Sequence, residues 1–452
     1  MSIPIARPWF YRTAAVVAFI FAQILVLAMP VKLQEPGDWG FQYATRNFAE
    51  GRLTLTHEQY IQQSQEAGGE SRWLSSYGLV GDDSWAFTWA PGYAFYLAPF
   101  ERIGVPQLGA SLLSLGVVVV LYLLLARLKD EETALFGVTL LVFTPLYLAM
   151  WQRVYMDSFA ALAFCGMGGG LYLYYWLSRD RLGVRSSAAV LLAAGFLLMA
   201  SVGVRYTNIA IFVVFGVHFL VMTVRLHRHR VRFLPIGLFF GLGIALSGIG
   251  LLAYQGRVFG SFFNSGSEFA QFGIRFAWDY QLGEGYGIVR RNIISLWVPL
   301  LAALPIILAA APAFVVAAYE KGFFFRRTDN CPELPVHIYR VILGWAVAVF
   351  GIYVMYDWTS FQNGARFLFP LLTRFYLPAL LPMVVIVALM LRRLSAKLWG
   401  SVLAVLVVLG VIFFIQVARI QVYFADGATP PSLSLPAMPA NISAVLSEEC
   451  GL

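Results

Sequence analysis

The sequence predicts an all-α polytopic membrane protein with about eleven transmembrane helices. Of its 452 residues, 60% are hydrophobic and only 12% are charged, whereas soluble domains have about a quarter of their residues charged. Apolar stretches of about 20 residues, the length that crosses the hydrocarbon core as a helix, recur along the chain. Backbone groups in lipid must be satisfied within their own segment, so each stretch is expected to be helical.

Each predicted span is an apolar stretch between more polar segments. The first is interpreted as a retained helix and not as a signal peptide, because it is long enough to span and no small-residue cleavage site follows it. Boundaries carry an uncertainty of about four residues. The spans are placed at roughly 12–31, 106–127, 133–150, 157–177, 186–202, 207–224, 233–255, 293–318, 339–356, 373–391 and 398–418.

Short linkers rich in Lys and Arg predict the orientation. Alternate threading of the spans puts these linkers on one side together with the amino terminus, and short basic loops stay in the cytoplasm. The carboxyl tail is then outside. The net charge of +8 belongs to these linkers and does not indicate a nucleic-acid partner. The linkers are those with Arg127 and Lys129, Arg179–Arg185, Arg225–Arg232, Lys321–Arg327 and Arg392–Lys397.

Two long loops fall on the predicted outer side, at about 32–105 and about 256–292, and loops of such length are usually functional. In the first loop, DWGFQYATRNFAEG and APGYAFYLAPFERIG have the spacing of short helices that lie in the membrane interface. The polar stretch between them is expected to arch over them. We expect one transmembrane domain over residues 1–395, with residues 396–452 forming the last helix and an outer tail.

Two carboxylates stand where predicted spans meet the outer surface. Asp38 follows the first span in QEPGDWGF, and a partly desolvated carboxylate there can act as a general base. Capping of a helix that starts at Trp39 is a compatible alternative. Asp157 opens the fourth span, where an ionisable group beside hydrocarbon is costly and often functional. It, too, could be a helix cap.

The adjacent pair Asp82 and Asp83 lies in the first outer loop. Adjacent loop acids are most often solvated, and contact with an acceptor or a metal ion is the alternative. Cys165, Cys331 and Cys450 show no CxxC or Cys/His spacing, which argues against a disulfide framework or a zinc knuckle.

Isolated arginines on the predicted outer side are unusual, because positive charge favours the cytoplasm. Arg205 lies in GVRYTN between two spans, Arg366 lies in NGARFLFP before the tenth span, and Arg291 closes the second long loop. A guanidinium at this surface suits a bidentate grip on phosphate. For Arg205, pairing with a carboxylate such as Asp157 or Glu268 is the alternative. Arg291 could instead extend to the lipid head groups.

The order of several motifs is informative. One span is followed by a long outer loop with an acid at its start and PGY at its end, and then by an Asp that opens the fourth span, RYTN, FGSFFNSG and GARFLFP. This order resembles the GT-C membrane glycosyltransferases, especially the bacterial and archaeal branch related to protein O-mannosyltransferases and the lipid A aminoarabinose transferase. The resemblance covers about residues 8–395 and implies a GT-C fold.

The resemblance implies transfer of a sugar from a polyprenyl-phosphate donor outside the cytoplasm, usually with inversion. It implies that Asp38 is the catalytic base, that Asp157 is the acid opening the fourth span, and that Arg366, together with Arg205, holds the donor phosphate. Arg291 is a further candidate for this phosphate because of its position at the end of the second loop. Many members have two acids at the start of the loop. Here Glu35 precedes Asp38 and joins Asp82 and Asp83 as a candidate acceptor or metal contact.

Further expectations follow from the same resemblance. No cofactor is required, although a divalent metal is compatible, and the acceptor is a protein, lipid or glycan. The protein is expected in the cell membrane with its active site extracytoplasmic. The alternatives are a catalytically silent subunit of a membrane complex, a transporter of lipid-linked glycans, and an enzyme that uses a lipid diphosphate. A transporter is expected to show inverted repeats and broken helices, and neither is evident in the sequence.

Overall fold

The computed structural model describes most of the chain. Its described residues are 8–28, 36–66, 76–81, 83–227, 234–266, 287, 289–290, 292–293, 303–320, 335–356, 373–392 and 396–425. Helices dominate them. The α-helices are α1 (Pro8–Ala28), α2 (Pro36–Ala49), α3 (His57–Glu66), α4 (Gly92–Arg102), α5 (Pro106–Leu128), α6 (Glu131–Val142), α7 (Pro145–Gln152), α8 (Asp157–Ser178), α9 (Val184–Val204), α10 (Ile209–His227), α11 (Leu234–Phe259), α12 (Ile306–Glu320), α13 (Val336–Val354), α14 (Leu380–Leu391) and α15 (Ala396–Ala425).

The protein is a multi-pass membrane protein. Within the described residues, seven helices are long and apolar enough to cross a bilayer, and the pair α6 and α7, bent by 60°, is equivalent to an eighth span. The prediction that the chain crosses the membrane many times is therefore confirmed, and the number of eleven spans stays a prediction. The seven helices are Pro8–Ala28, Pro106–Leu128, Val184–Val204, Tyr206–Arg225, Gly237–Phe259, Val336–Val354 and Thr373–Leu391.

Helix α8 lies at the centre of the bundle. It is 22 residues long, and most of its side chains are buried, because it packs against α5 on one side and α9 on the other. Helix α9 in turn packs along α11. Three consecutive glycines, Gly168–Gly170, reduce its mean hydropathy below that of its neighbours but let those neighbours approach closely. A helix surrounded by protein needs less apolar surface than one that faces lipid.

The all-α prediction is wrong for the first outer loop. Strands β1 (Thr54–Thr56), β2 (Tyr77–Val80) and β3 (Ser84–Phe87) form an antiparallel sheet in the order β1-β3-β2. The turn between β2 and β3 begins at Gly81, whose φ of 69° is a conformation that favours glycine. Strands of three or four residues are too short for alternation to reveal them in the sequence.

Two predicted interfacial helices are confirmed as helices, and the described part of the polar stretch between them contains a third helix. Helices α2 and α4 pack against each other below the sheet. Helix α3 occupies the polar stretch, where Tyr60 is buried under Trp85 of β3, with ring centroids 3.9 Å apart and planes 3° apart. The first loop is therefore a small folded layer on one end of the bundle.

Ion pairs fasten the opposite end of the bundle. Arg12 of α1 donates to Glu131 of α6 through Nη2 at 2.6 Å. Arg392, which follows α14, donates to Glu132 at 2.7 Å. Arg12 and Arg392 thus lie at the same end, as alternate threading of the spans predicted. The assignment of this end to the cytoplasm stays a prediction based on its basic residues.

Candidate functional site

Asp38 is buried near the start of α2. The helix begins at Pro36, and proline suits the first helical position because its φ is preset and its missing N–H would be unpaired there anyway. Asp38 therefore lies in the first turn of α2 and does not precede a helix beginning at Trp39, so the capping interpretation is wrong. Its exposed fraction is 1%. A carboxylate buried this deeply requires a charged or hydrogen-bonding partner.

The partner of Asp38 is Arg153, which lies between α7 and α8. The guanidinium uses two nitrogens, with Nε 3.3 Å from Asp38 Oδ1 and Nη2 in close contact with Oδ2. Both side chains are 1% exposed. Arg153 did not emerge from the sequence, although an isolated arginine four residues before Asp157 was a usable signal.

Arg153 begins a tight turn that leads into α8. The N–H of Met156 donates to the Arg153 carbonyl at 3.0 Å, which closes a β-turn over residues 153–156. Inside the turn, the Tyr93 hydroxyl of α4 donates to the Val154 carbonyl at 2.5 Å. The first loop therefore holds this turn through backbone as well as side-chain contacts.

Tyr155, also inside the turn, provides another anchor to α4. Its hydroxyl donates to Glu101 at 2.6 Å, and Arg46 of α2 donates to the other oxygen of the same carboxylate at 3.2 Å. Burial and the neighbouring Glu101 charge raise the pKa of Tyr155 above its ordinary value. The hydroxyl consequently remains a donor at neutral pH.

Asp157 follows the turn directly and pairs with Arg205. Arg205 Nε lies 2.9 Å from Oδ2 and Nη2 lies 2.5 Å from Oδ1, and Nη2 also reaches the Ser158 hydroxyl at 2.8 Å. This is the alternative pairing that the sequence left open. Burial alone would lower the pKa of Arg205, but the charge of Asp157 and its hydrogen bonds raise it above the ordinary value.

One nitrogen of the Arg205 guanidinium, Nη1, is not used by Asp157 or Ser158. The exposed fraction of Arg205 is 8%, and Nη1 has no hydrogen-bond acceptor among the residues that the structure describes. Arg205 follows α9 in an extended conformation, so its side chain leaves the end of that helix and points at the start of α8. Gly92 of α4 fits against the same helix end, since a Cβ on Gly92 would lie 2.7 Å from the Gly203 carbonyl oxygen.

A second arginine stands next to Arg205. Both guanidinium groups lie over the ring of Phe375, with Arg205 Cζ 4.9 Å and Arg374 Cζ 5.0 Å from its centroid. The two Cζ atoms are therefore no more than about 10 Å apart. Two guanidinium groups around one aromatic ring concentrate positive charge in this part of the site, even though Asp157 neutralises one of them.

The end of α13 completes this surface. The Tyr353 hydroxyl is 2.5 Å from the Thr207 hydroxyl, and the rings of Tyr353 and Tyr356 contact Phe375 with centroids 5.4 Å and 5.6 Å away. Asn292 donates to the backbone carbonyls of Val354, at 2.7 Å, and Tyr356, at 3.1 Å. Asn292 thus satisfies the final carbonyl of α13 and one just beyond the helix.

The sequence contains the arginine motif twice. Arg366 begins RFLFP and Arg374 begins RFYLP, eight residues later. Only the first copy was considered a candidate phosphate ligand, whereas the structure describes the second, Arg374, beside Arg205. The repeated R-F-x-x-P spacing was the signal that sequence reasoning missed.

The remaining candidates are not brought into this site by the described residues. Asp83 lies exposed in the turn between β2 and β3. The described part of the chain contains no group of three or more His, Cys, Asp or Glu side chains arranged to hold a metal ion. Four candidates lie outside the described residues: Glu35, Asp82, Arg291 and Arg366.

Comparison with known proteins identifies the fold. No protein-family model matches the chain, and neither does any curated protein. Solved structures do match. The oligosaccharyltransferase of Archaeoglobus fulgidus in its apo form aligns over 94% of this chain, with a TM-score of 0.57 and 11% identity. The chain has a GT-C fold.

A second structure of the archaeal oligosaccharyltransferase gives a similar match, and a further solved structure aligns with a lower score. The archaeal oligosaccharyltransferase AglB from the same organism, in complex with an inhibitory peptide and a dolichol-phosphate, aligns with a TM-score of 0.53 and 12% identity. In both alignments this chain spans 57% of the oligosaccharyltransferase. ArnT from Cupriavidus metallidurans bound to undecaprenyl phosphate aligns over 92% of this chain and 72% of that one, with 12% identity and a TM-score of 0.46.

Proposed function

We propose that this protein transfers a sugar from a polyprenyl-phosphate donor to an acceptor on the extracytoplasmic side of the cell membrane. One observation carries the proposal: two carboxylate–guanidinium pairs stand at the two ends of one turn, the fully buried pair of Asp38 with Arg153 and the largely buried pair of Asp157 with Arg205. Acidic and cationic groups from distant parts of the chain thus meet at residues 153–157. Buried titratable groups clustered in this way are typical of functional sites.

Asp38 is the general base in this proposal. An acceptor hydroxyl or amine attacks the anomeric carbon of the sugar, the bond from that carbon to the phosphate oxygen breaks, and Asp38 takes the proton of the acceptor. The electron pair of the broken bond leaves with the polyprenyl phosphate. Attack from the face opposite the leaving group inverts the anomeric centre. A positioned base contributes about 10²–10⁴ to the rate of such a step.

Arginines stabilise the leaving phosphate. Negative charge builds on the phosphate oxygens as the bond breaks, and cations that are already positioned meet it without reorganisation. Arg205 offers Nη1, and Arg374 adds a second guanidinium over the same ring. Asp157 holds Arg205 in place. Arg366 and Arg291 remain predicted additions to this group of ligands.

The donor class is supported by chemistry and by comparison. A guanidinium fork matches phosphate oxygens bidentately, and the aromatic rings at the end of α13 offer apolar surface beside it. The AglB structure of similar fold contains a dolichol-phosphate. A lipid phosphate with an isoprenoid tail is therefore the donor that we propose here, with a protein, lipid or glycan as acceptor.

The test is turnover of labelled donor. Purified protein is incubated with polyprenyl-phosphate sugars that carry a radiolabel in the sugar, and transferred or released sugar is counted. Asp38→Asn is expected to lose at least about a hundredfold in rate. Asp83→Asn, an exposed carboxylate in the same loop, is the matched control and should keep the wild-type rate. Equal activity of wild type and Asp38→Asn would remove Asp38 from the mechanism. Absence of turnover with every donor would favour a silent subunit or a transporter.

A further inference from the structure

The pairing of Asp38 with Arg153 raises a problem for a base. Both carboxylate oxygens of Asp38 accept from the same guanidinium, in a place where neither side chain reaches solvent. Those hydrogen bonds occupy one lone pair on each oxygen, and burial restricts access to the remaining ones. A base with this partner is held in position but is poorly placed to accept the proton of an acceptor.

The geometry points to a second partner for Arg153. Guanidinium binds phosphate through the same two-pronged contact that it makes with carboxylate. Arg153 and Met156 close one β-turn, so their Cα atoms lie within about 7 Å, and Asp157 with its partner Arg205 follows directly. Arg153 thus stands four residues before the carboxylate that holds Arg205, on the approach to the proposed phosphate position.

The β-turn over residues 153–156 can keep its backbone conformation while the Arg153 side chain changes partner. Its backbone is fixed by Tyr93 at Val154, and Tyr155 is fixed by Glu101, and neither contact involves the guanidinium of Arg153. A change of partner at Arg153 therefore leaves the turn in place. Replacing one bidentate anion by another keeps the buried guanidinium paired, and the buried Asp38 carboxylate that it leaves is neutralised when it takes the proton of the acceptor.

We propose that Arg153 is shared between two anions: it pairs with Asp38 when the site holds no donor and turns to the donor phosphate when lipid-linked sugar binds. This inference rests on the proposed transferase function and deepens it. Donor binding then releases Asp38 as a base only when there is a sugar to transfer. Arg153 is a ligand of the donor phosphate in this scheme and also the group that couples donor binding to acceptor activation.

The exchange predicts an affinity pattern that needs no turnover. Undecaprenyl phosphate is the probe, titrated into protein in nanodiscs of phosphatidylcholine, which adds no other lipid of net negative charge. Asp38→Asn removes the anion that competes for Arg153, so it should bind the probe at least about tenfold more tightly than wild type. Arg153→Gln should bind at least about tenfold more weakly, and Arg153→Lys should lie between the two because it keeps charge without the fork.

The double variant is decisive. In the Arg153→Gln background there is no guanidinium for which Asp38 and the probe phosphate compete. Asp38→Asn should therefore leave the affinity for undecaprenyl phosphate unchanged. Asp83→Asn is the control and should match wild type. If Asp38→Asn fails to tighten binding, or tightens it equally without Arg153, the exchange is wrong and Arg153 only positions Asp38. Because Asp38→Asn preserves shape and can still hydrogen-bond Arg153, this arm remains informative even if Arg153→Gln does not fold.

The two proposals fail in different ways. Normal sugar transfer by wild type, together with equal probe affinities in all variants, would overturn the exchange and leave the transferase function standing. The predicted affinity pattern without transfer from any donor would overturn the transferase function and leave a lipid-phosphate site governed by Arg153.

Discussion

Arg205 binds Asp157 through two arms of its guanidinium, with Nε 2.9 Å from Oδ2 and Nη2 2.5 Å from Oδ1. The pair joins the end of α9 to the start of α8 at the outer end of the proposed active site. Because Arg205 is 8% exposed, its guanidinium depends on protein groups such as Asp157 and Ser158 for hydrogen bonds. In the proposed mechanism, the position and orientation of Arg205 determine where the donor phosphate is held.

Removing one member of this pair should be worse than removing both. Arg205→Gln leaves a largely buried carboxylate, 16% exposed, without its cation, and we expect a loss of up to about 3 kcal/mol in stability, the lower end of the range for fully buried pairs. Asp157→Asn leaves a buried guanidinium and should cost a similar amount. The double variant should be more stable than the sum of the two losses predicts. Thermal unfolding in detergent checks this, and strictly additive losses would show that the two residues do not interact.

Arg374 should matter for the donor and not for the fold. We expect Arg374→Gln to lower kcat/KM for the lipid-linked donor about a hundredfold, because one cation that faces the leaving phosphate is lost. Arg102→Gln removes an exposed arginine at the end of α4 and serves as the control with wild-type kinetics. Steady-state rates at varied donor concentration provide the comparison. Identical kcat/KM values for the two variants would place the phosphate elsewhere.

The contact between Tyr155 and Glu101 has a defined pH dependence. A raised folded-state pKa means that the stabilisation from the Tyr155 hydroxyl is complete below the unfolded value, about 10, and is lost as pH rises through the folded value. The difference in unfolding temperature between wild type and Tyr155→Phe should therefore be constant from about pH 6 to about pH 9 and shrink above about pH 10. A difference that disappears already at neutral pH would contradict this assignment.

The close approach of α4 to α9 leaves no room for a methyl group. Gly92→Ala would place Cβ 2.7 Å from backbone atoms of Gly203, and backbone cannot yield as a flexible side chain does. We expect a loss of about 1–3 kcal/mol and reduced transfer, because the displaced α4 carries Tyr93. Gly250→Ala in α11, with nothing within 4 Å of its Cβ, is the matched control. Equal unfolding temperatures of the two variants would show that α4 has freedom to move.

The helical framework could be predicted because hydrocarbon imposes it. Runs of apolar residues between basic linkers predicted the spans. The amphipathic spacing of apolar residues predicted α2 and α4. The sheet could not be identified, because strands as short as Thr54–Thr56 depend on partners about 30 residues away and have no periodic signal of their own. Burial of α8 by its neighbours was likewise invisible, since it depends on tertiary packing.

The candidate site was predicted in part. Asp38, Asp157 and Arg205 stood out because a charge at a membrane boundary is costly, and the structure places all three beside one turn. Arg153 was missed because pairing across 115 residues has no local signature. Arg374 was missed because its neighbour Arg366 offered the same motif first. Convergence of distant residues is decided by packing, and a single sequence does not display it.

The base assignment of Asp38 can be tested most directly by replacing the acceptor. Azide is an anion without a proton to give up, so it attacks the anomeric carbon without needing a base. With labelled polyprenyl-phosphate sugar, Asp38→Asn should fail to transfer sugar to hydroxyl acceptors or water but should form the glycosyl azide, with inverted configuration, at a rate near that of wild type. If Asp38→Asn forms no glycosyl azide although it still binds undecaprenyl phosphate, Asp38 is not the base and the proposed mechanism is wrong.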